Sequence, residues 1–191
     1  MTGVNYVTLR CQRPYVDTAT MAEVRAAIPQ DTDAVARLHV RAWQSAYPGL
    51  IAQAYLDGLD PAVWAGRYDF GRVGLRLPST LVAVDGSAIR GFATTGLCRD
   101  EDLSNFGELM AIYVDPGYLN TGVGRLLIAA ARERLRHVGV EQAALWVLDG
   151  NVRARRFYER DGWRFDGAHR TETFGDEAVG EIRYRRSLGG V

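Results

Sequence analysis

Lysine is absent from this sequence, and cysteine and histidine are scarce. All 23 basic residues are arginine, which we attribute to GC-rich coding. The chain therefore offers no lysine for a Schiff base, for a Walker-type phosphate loop or for acylation. Cys11 and Cys98 stand alone, with no second cysteine or histidine at ligand spacing, so neither a disulfide framework nor a zinc site is indicated. We expect the three scattered histidines to be structural or solvated.

Long apolar runs and an excess of one charge are also missing. No run approaches about 18 apolar residues, so the sequence predicts no membrane span, and the N-terminus lacks the apolar core of a signal peptide. The formal net charge of +0 gives no basic field for a nucleic-acid partner. A length of 191 residues with 47% hydrophobic residues is typical of one globular domain. We expect a cytoplasmic protein without a nucleic-acid or membrane partner.

The hydrophobic pattern divides the chain into a tail and one domain. Residues 1–21 show no sustained period and are predicted to form a flexible N-terminal tail, with Met21 as a candidate initiator, and residues 22–191 form a single domain. A strand, a helix and a strand over 108–148 imply a parallel pair within an α+β domain whose mixed sheet is mostly antiparallel. Before this unit, the sequence predicts a strand from residue 21, a helix capped by Asp31 and Thr32 and ending near Pro48, helical turns over 51–70 with Asp60 as a cap, and a hairpin over 80–95. After it, the sequence predicts a short helix from Asn151 and strands at 163–166 and 178–185, separated by a loop at 171–177.

One stretch, from Glu108 to Ile128, joins a strand to a helix through a glycine-rich loop. Gly122 and Gly124 open that helix, where the first backbone N–H groups have no intrahelical partner and the helix dipole favours an anion, usually a phosphate. A purely structural turn is the alternative interpretation. Leu127 excludes a Rossmann fingerprint, which needs a small residue at that position, and the absence of lysine excludes a P-loop.

Four features follow one another in a fixed order along this part of the chain. They are Glu108 at the start of a strand, a Val114-Asp115-Pro116 turn, Gly122-Val123-Gly124 at a helix start, and a second helix with Asn151, Ala154, Phe157-Tyr158 and then Gly162-Trp163. In these motifs the chain resembles the GNAT superfamily of N-acetyltransferases, over about residues 22–187 and most closely over 108–163. The resemblance implies the GNAT fold, with six or seven strands, about four flanking helices and splayed central parallel strands. It also implies transfer of an acetyl group from acetyl-CoA to a primary amine by direct attack in a ternary complex.

The resemblance assigns roles to individual residues, and no metal. Glu108 is the expected general base, directly or through water, and Tyr158 the general acid near the sulfur. The Ile112 N–H is the expected oxyanion donor, and Asn151 is expected to bond to the pantetheine arm. Leu119 departs from the family pattern, where glutamine or arginine is expected, and Arg125 supplies part of the missing charge. The remaining expected cofactor contacts are Tyr113, Val114, Asn120, Thr121, Gly122, Val123 and Gly124.

The residues alone leave several alternatives open. Glu108 could be a solvated strand-end carboxylate, Tyr158 a core aromatic, and Trp43 a packing residue rather than a substrate contact. Trp43 and Tyr47, one helical turn apart, and the loop at 171–177 are expected to select the acceptor, a small-molecule or peptide amine. The acidic run 100–102 is expected to be solvated. A non-catalytic acyl-CoA-binding or sensor module, favoured by Leu119, and an enzyme for a longer acyl group remain alternatives, and a homodimer is the default oligomer.

Overall fold

The computed structural model describes residues 22–71 and 78–189. The predicted tail at 1–21 and the suggestion that Met21 is the initiator lie outside these residues.

One seven-stranded sheet carries the fold, in the strand order β1-β2-β3-β4-β5-β7-β6. Only β4 and β5 are parallel, and the other neighbours are antiparallel, which confirms the predicted mixed sheet. The strands are β1 Glu23–Ala26, β2 Ser79–Asp85, β3 Ala88–Leu97, β4 Gly107–Val114, β5 Gln142–Leu148, β6 Arg164–Phe174 and β7 Glu177–Ser187, and the α-helices are α1 Thr32–Ala46, α2 Gln53–Asp57, α3 Pro61–Ala65, α4 Val123–His137 and α5 Val152–Arg160.

The helices cover the two faces of the sheet. The apolar stripe of α4, including Leu127 and Leu135, lies in one core with Leu145 of β5 and Tyr184 of β7. Residues of α1 pack on the opposite face against β2 and β3, where Phe92 is fully buried. No helix in the described part of the chain is long and apolar enough to span a bilayer.

The predicted cap at Asp60 is confirmed, and a glycine ends α4. The Asp60 carboxylate accepts a hydrogen bond of 2.8 Å from the Ala62 N–H and caps α3. Gly139 takes φ +82° and its N–H donates to the Arg136 carbonyl, which ends α4 as a glycine C-cap does.

The predicted side-chain cap of α1 is wrong. The segment Pro29–Asp31 forms a 3₁₀ turn that runs directly into α1, so Asp31 already has helical backbone angles and makes no side-chain cap. Its carboxylate instead accepts from the Ile28 N–H at 2.9 Å and from the Arg25 guanidinium. Asp31 therefore ties β1 to the start of α1 by an ion pair.

The predicted loop at 171–177 is also wrong, because these residues belong to a long hairpin. Strand β6 continues to Phe174, and Gly175 at φ +62° makes the turn into β7. A register shift between Phe165 and His169 interrupts the ladder, and Gly167 within it has φ +90°. This bulge breaks the alternating pattern, which made the strand appear to end early.

Candidate active site

Strands β4 and β5 separate soon after they pair, and the gap between them is the centre of the site. Only two pairs of residues are in parallel register, Gly107 with Ala143 and Glu108 with Ala144. Beyond them the strands diverge, as predicted, and a cavity of about 910 Å³ opens between β4, β5, α1 and the β6–β7 hairpin. Such a volume is typical of a pocket for a sizeable ligand.

Alternate backbone N–H groups of β4 point into this gap. The Asp115 N–H donates to the Arg90 carbonyl of β3 at 2.8 Å, and N–H direction alternates along a strand. The N–H groups of Ile112 and Val114 therefore point away from β3, toward β5. This direction is the one that an oxyanion donor at Ile112 requires. A bulge at Met110 of β4 shifts its register against β3, because Thr94 pairs with Ala111 whereas Thr95 pairs with Leu109.

The glycine loop brings an uncapped helix start to the cavity. Gly122 has φ +98° and precedes α4 without any side-chain cap, so the first N–H groups of the helix are left for another acceptor. Asn120 has φ +64°, a left-handed conformation that asparagine tolerates better than most residues. A side chain at Gly124 would meet the Phe157 ring at 3.4 Å, which shows how closely α5 approaches the loop.

Arginines surround the same end of the cavity. Arg125 lies in the first turn of α4, and Arg153 and Arg160 lie on α5, and all three line the cavity. Leu119 lines it as well. Three guanidinium groups and an uncapped helix start make this end suited to a phosphorylated ligand. Thr121 accompanies them, with its hydroxyl donating to the Tyr118 carbonyl at 2.7 Å, and Val123 is buried.

Glu108 is buried and bound to one arginine on both oxygens. The side chain is 4% exposed. Its Oε1 accepts from Arg99 Nη2 at 2.6 Å, and its Oε2 accepts from Arg99 Nε at 3.0 Å and from the Arg99 backbone N–H at 3.3 Å. Glu108 is therefore not a solvated strand-end residue, and Arg99 was not expected at the site.

Tyr158 reaches the cavity from α5. It is 8% exposed, and burial, with a smaller contribution from Tyr113, raises the pKa of its hydroxyl. The hydroxyl therefore stays protonated at neutral pH and has no hydrogen-bond partner among the described residues. Asn151 also lines the cavity, but its Oδ1 accepts from the Ala154 N–H at 3.1 Å and caps α5, so its NH₂ group is the part left for a ligand.

An aromatic wall from α1 and β4 forms the other side of the cavity. The hydroxyls of Tyr47 and Tyr113 lie 3.2 Å apart. Trp43 is 8% exposed and contacts both Tyr47 and Phe174 edge to face, so it is a core residue that also lines the cavity. His39 lies behind this wall, with Nδ1 2.5 Å from the Tyr68 hydroxyl, as expected for a structural histidine.

Several residues of this half of the cavity were not found by sequence reasoning. Glu181 of β7 pairs with Arg170 of β6, and the Arg170 guanidinium lies 4.4 Å from the ring centre of Trp146 on β5. All three line the cavity, together with Glu172. The only available signal was the alternation of charged residues along β6 and β7, and the bulge in β6 obscured it.

The expectation that the acidic run 100–102 is solvated holds for the exposed Glu101 but not for Asp100, and Asp102, although 62% exposed, is ion-paired. Asp100 accepts from the Trp146 indole N–H at 2.9 Å and from Arg183 at 3.0 Å, and Asp102 is bound to the same guanidinium at 2.7 Å. Arg183 is buried and also binds Asp166. This network holds the turn after Cys98 against the sheet, and Arg99 in that turn is thereby placed over Glu108.

The described residues contain no group of three or more histidine, cysteine or acidic side chains that could hold a metal ion. The chemical groups present are a carboxylate, a protonated phenol, strand N–H groups aimed into a gap, and a cationic helix start. These are the elements of an acyl-transfer site with a bound, phosphorylated donor.

Comparison with known proteins agrees with this class. The family model described as acetyltransferase (GNAT) family matches residues 35–163, and the chain belongs to that family. The N-acetyltransferase YuaI of Bacillus subtilis, itself uncharacterized, is 31% identical over 132 residues, which cover 69% of this chain and 74% of the relative. A mycothiol acetyltransferase of Acidimicrobium ferrooxidans is 34% identical over 86 residues, covering 45% of this chain but 28% of that protein.

Solved structures share the fold at lower sequence identity. YncA of Salmonella typhimurium, solved with its cofactor acetyl-CoA, aligns with a TM-score of 0.66 at 18% identity, covering 89% of this chain and 95% of that one. At this identity the likeness shows the fold alone. Together with the family model it confirms the predicted GNAT fold and an enzyme of the acetyltransferase class.

Proposed function

We propose that the cavity binds acetyl-CoA and that the acetyl group passes directly to a primary amine held in the same cavity. The observation that carries this proposal is the opening between β4 and β5, which leads from the uncapped start of α4 to the buried carboxylate of Glu108. A narrow pantetheine arm fits such an opening, and its phosphates would meet the first N–H groups of α4. The presence of acetyl-CoA in the YncA structure supports this proposal.

The donor is held mainly by backbone groups and arginines. The N–H groups of Gly122, Val123 and Gly124 and the nearby Arg125, Arg153 and Arg160 would neutralise the pyrophosphate and ribose phosphate. Because these donors do not depend on residue 119, the leucine there weakens binding without preventing it. The Asn151 NH₂ group would hold the pantetheine arm.

The transfer step uses the groups at the centre of the gap. The amine nitrogen attacks the thioester carbon, and the Ile112 N–H stabilises the oxyanion that forms on the carbonyl oxygen. Glu108 takes the proton from the amine, directly or through one water, because Oε1 accepts only one hydrogen bond from Arg99 and retains a lone pair. Tyr158 protonates the departing CoA thiolate, and an amide and free CoA are the products.

The proposal is tested by release of CoA from acetyl-CoA with a panel of primary amines, measured with a thiol reagent. Calorimetric binding of acetyl-CoA is measured in parallel. Binding with no CoA release from any amine would favour the non-catalytic acyl-CoA-binding module, and no binding at all would refute the donor assignment. Replacing acetyl-CoA with butyryl-CoA and hexanoyl-CoA tests the alternative of a longer acyl group.

A further inference from the structure

The acceptor half of the cavity contains a carboxylate that is only partly engaged. Glu181 of β7 lies opposite Leu148 of β5 and Arg170 of β6 in the sheet register. Its side chain is 12% exposed and lines the cavity. Oε2 accepts from Arg170 Nε at 2.6 Å, whereas Oε1 has no hydrogen-bond donor among the described residues.

Glu108, a more deeply buried carboxylate of the cavity, differs in this respect. It accepts three hydrogen bonds from Arg99 and lies where β4 and β5 are still paired. Glu181 lies at the level of Leu148, four residues further along β5 and therefore at the open end of the gap. Of the two, Glu181 has the oxygen that a newly arrived cation can reach.

Tyrosine hydroxyls and aromatic rings line the same cavity as Glu181. Burial raises the pKa of Tyr47, with smaller contributions from Tyr113, Tyr158 and the negative charge of Glu181, so the Tyr47 hydroxyl is neutral. The Tyr47 and Tyr113 oxygens can each accept a hydrogen bond. The rings of Trp43 and Phe174 also line the cavity, and aromatic rings attract cations.

The net charge of this half also favours a cation. Arg99 is paired with Glu108, and Arg170 is paired with Glu181. Glu172 lies two residues along β6 from Arg170, on the same face; it is exposed and forms no ion pair with any described residue. This half of the lining therefore carries one carboxylate, at its exposed edge, more than its arginines balance.

We propose that Glu181 binds the ammonium group of the acceptor, which makes the acceptor a cationic alkylamine with an apolar body that contacts the aromatic wall. This inference rests on the proposed function, since it names the substrate class of the same site. An ammonium has three donors, and the cavity lining supplies Glu181 Oε1 and the Tyr47 and Tyr113 oxygens as acceptors. Glu181 acts in binding, before the proton is removed and the acetyl group moves.

The test measures binding rather than turnover, so that it holds even if the transfer proposal fails. The full-length protein, saturated with CoA, is titrated with n-butylammonium, phenethylammonium, 1-butanol and butyrate, and tryptophan fluorescence reports binding. Wild-type protein should bind the two ammonium ions and discriminate against 1-butanol and butyrate. Binding of butyrate in preference to butylammonium, or no binding of either ammonium ion, would overturn the inference.

Two substitutions with opposite expected effects make the test specific. Glu181→Gln should weaken butylammonium binding about ten- to a hundredfold, the worth of one charge-assisted hydrogen bond, and leave 1-butanol unchanged. Arg170→Gln should tighten butylammonium binding, because it removes the cation that competes for Glu181. A purely structural role would make both variants bind more weakly.

Glu177→Gln is the matched control, because Glu177 is an exposed residue of the same strand outside the cavity lining. It removes the same charge and should leave ammonium binding unchanged. If Glu181→Gln fails to fold, as judged by thermal unfolding, Glu181→Asp replaces it and should give an intermediate loss of affinity. Equal losses in the Glu177→Gln and Glu181→Gln variants would refute a specific role for Glu181.

Discussion

Gly91 of β3 is the point where the sheet and the start of α4 approach most closely, and Gly91→Ala tests how that contact supports the site. A Cβ there would lie 2.8 Å from the Tyr113 carbonyl oxygen, 2.8 Å from Leu127 Cδ1 and 3.1 Å from Val123 Cγ1. Carbon atoms in contact normally lie about 3.5–4.0 Å apart. Either β3 and β4 must separate or the first turns of α4 must lift away from the sheet.

The expected cost lies at the upper end of the range for overpacking, about 3 kcal/mol, because one neighbour is backbone in a paired strand. For a protein of this size that corresponds to a Tm lower by roughly 6–12 °C. Displacement of Val123 should also weaken acetyl-CoA binding, since the same turn is proposed to hold the pyrophosphate. Thermal unfolding and calorimetric titration measure the two effects.

Gly180→Ala is the control for this experiment. Gly180 has nothing within 4 Å of an added Cβ, and the loss of glycine's freedom in the unfolded chain should leave the protein equally stable or up to about 1 kcal/mol more stable. Equal unfolding temperatures for Gly91→Ala and Gly180→Ala would contradict the close contact between β3 and α4. A stable Gly91→Ala variant with weakened acetyl-CoA binding would separate the two effects.

Three further substitutions test individual side chains. Tyr158→Phe should lower kcat at least tenfold while the acetyl-CoA affinity and Tm hold, because its hydroxyl bonds to no described residue; an unchanged kcat across pH would remove Tyr158 from the mechanism. Glu108→Gln should lower kcat by about 10²–10⁴-fold, the range for a general base, with a lower Tm because Arg99 loses its partner, and near-normal turnover would assign the base elsewhere. Burial, with help from the charge of Arg67, lowers the pKa of His39 from 6.5 to about 3. As pH drops, the imidazole is therefore protonated in the unfolded chain before it is protonated in the folded protein. The free energy of unfolding falls as a result between about pH 6.5 and pH 3. His39→Gln should make that fall shallower, by up to about 1.4 kcal/mol per pH unit, when urea unfolding is measured at several pH values. If the free energy of unfolding changed with pH equally in both proteins, the burial of a neutral imidazole would be contradicted.

The part of the site that could be predicted from sequence depends on local geometry. Gly122 and Gly124 come directly before the apolar stripe of α4 in the sequence, so they lie at the start of that helix however the rest of the chain folds. Asn151 was noticed because it precedes a helix, and in the structure it caps that helix. Asn120 adopts the left-handed conformation in a position where glycine would be the usual choice. In each case the information lies within a few neighbouring residues.

Pairings between strands could not be predicted in the same way. The contact of Arg183 with Asp100 joins residues 83 positions apart, and nothing near either residue indicates the other. The pairing of Arg170 with Glu181 depends on the register of β6 against β7, and a bulge shifts that register. Without the register, alternating charges along two strands are consistent with ordinary solvated faces.

The two halves of the cavity therefore differ in how they are built, and this difference explains why the donor is easier to identify than the acceptor. Most of the proposed donor half is one continuous piece of chain from β4 through the loop into α4, which α5 completes, so much of its chemistry is written in neighbouring residues. The acceptor half takes a few side chains from each of several separate elements, namely α1, β4, β5, β6, β7 and the turn that carries Arg99. A change in α1, β6 or β7 can alter the acceptor without disturbing the proposed donor site, because the two halves meet at the gap between β4 and β5. We therefore expect substrate preference to change within this fold through residues such as Glu181 while the chemistry proposed for Ile112 and Tyr158 stays the same.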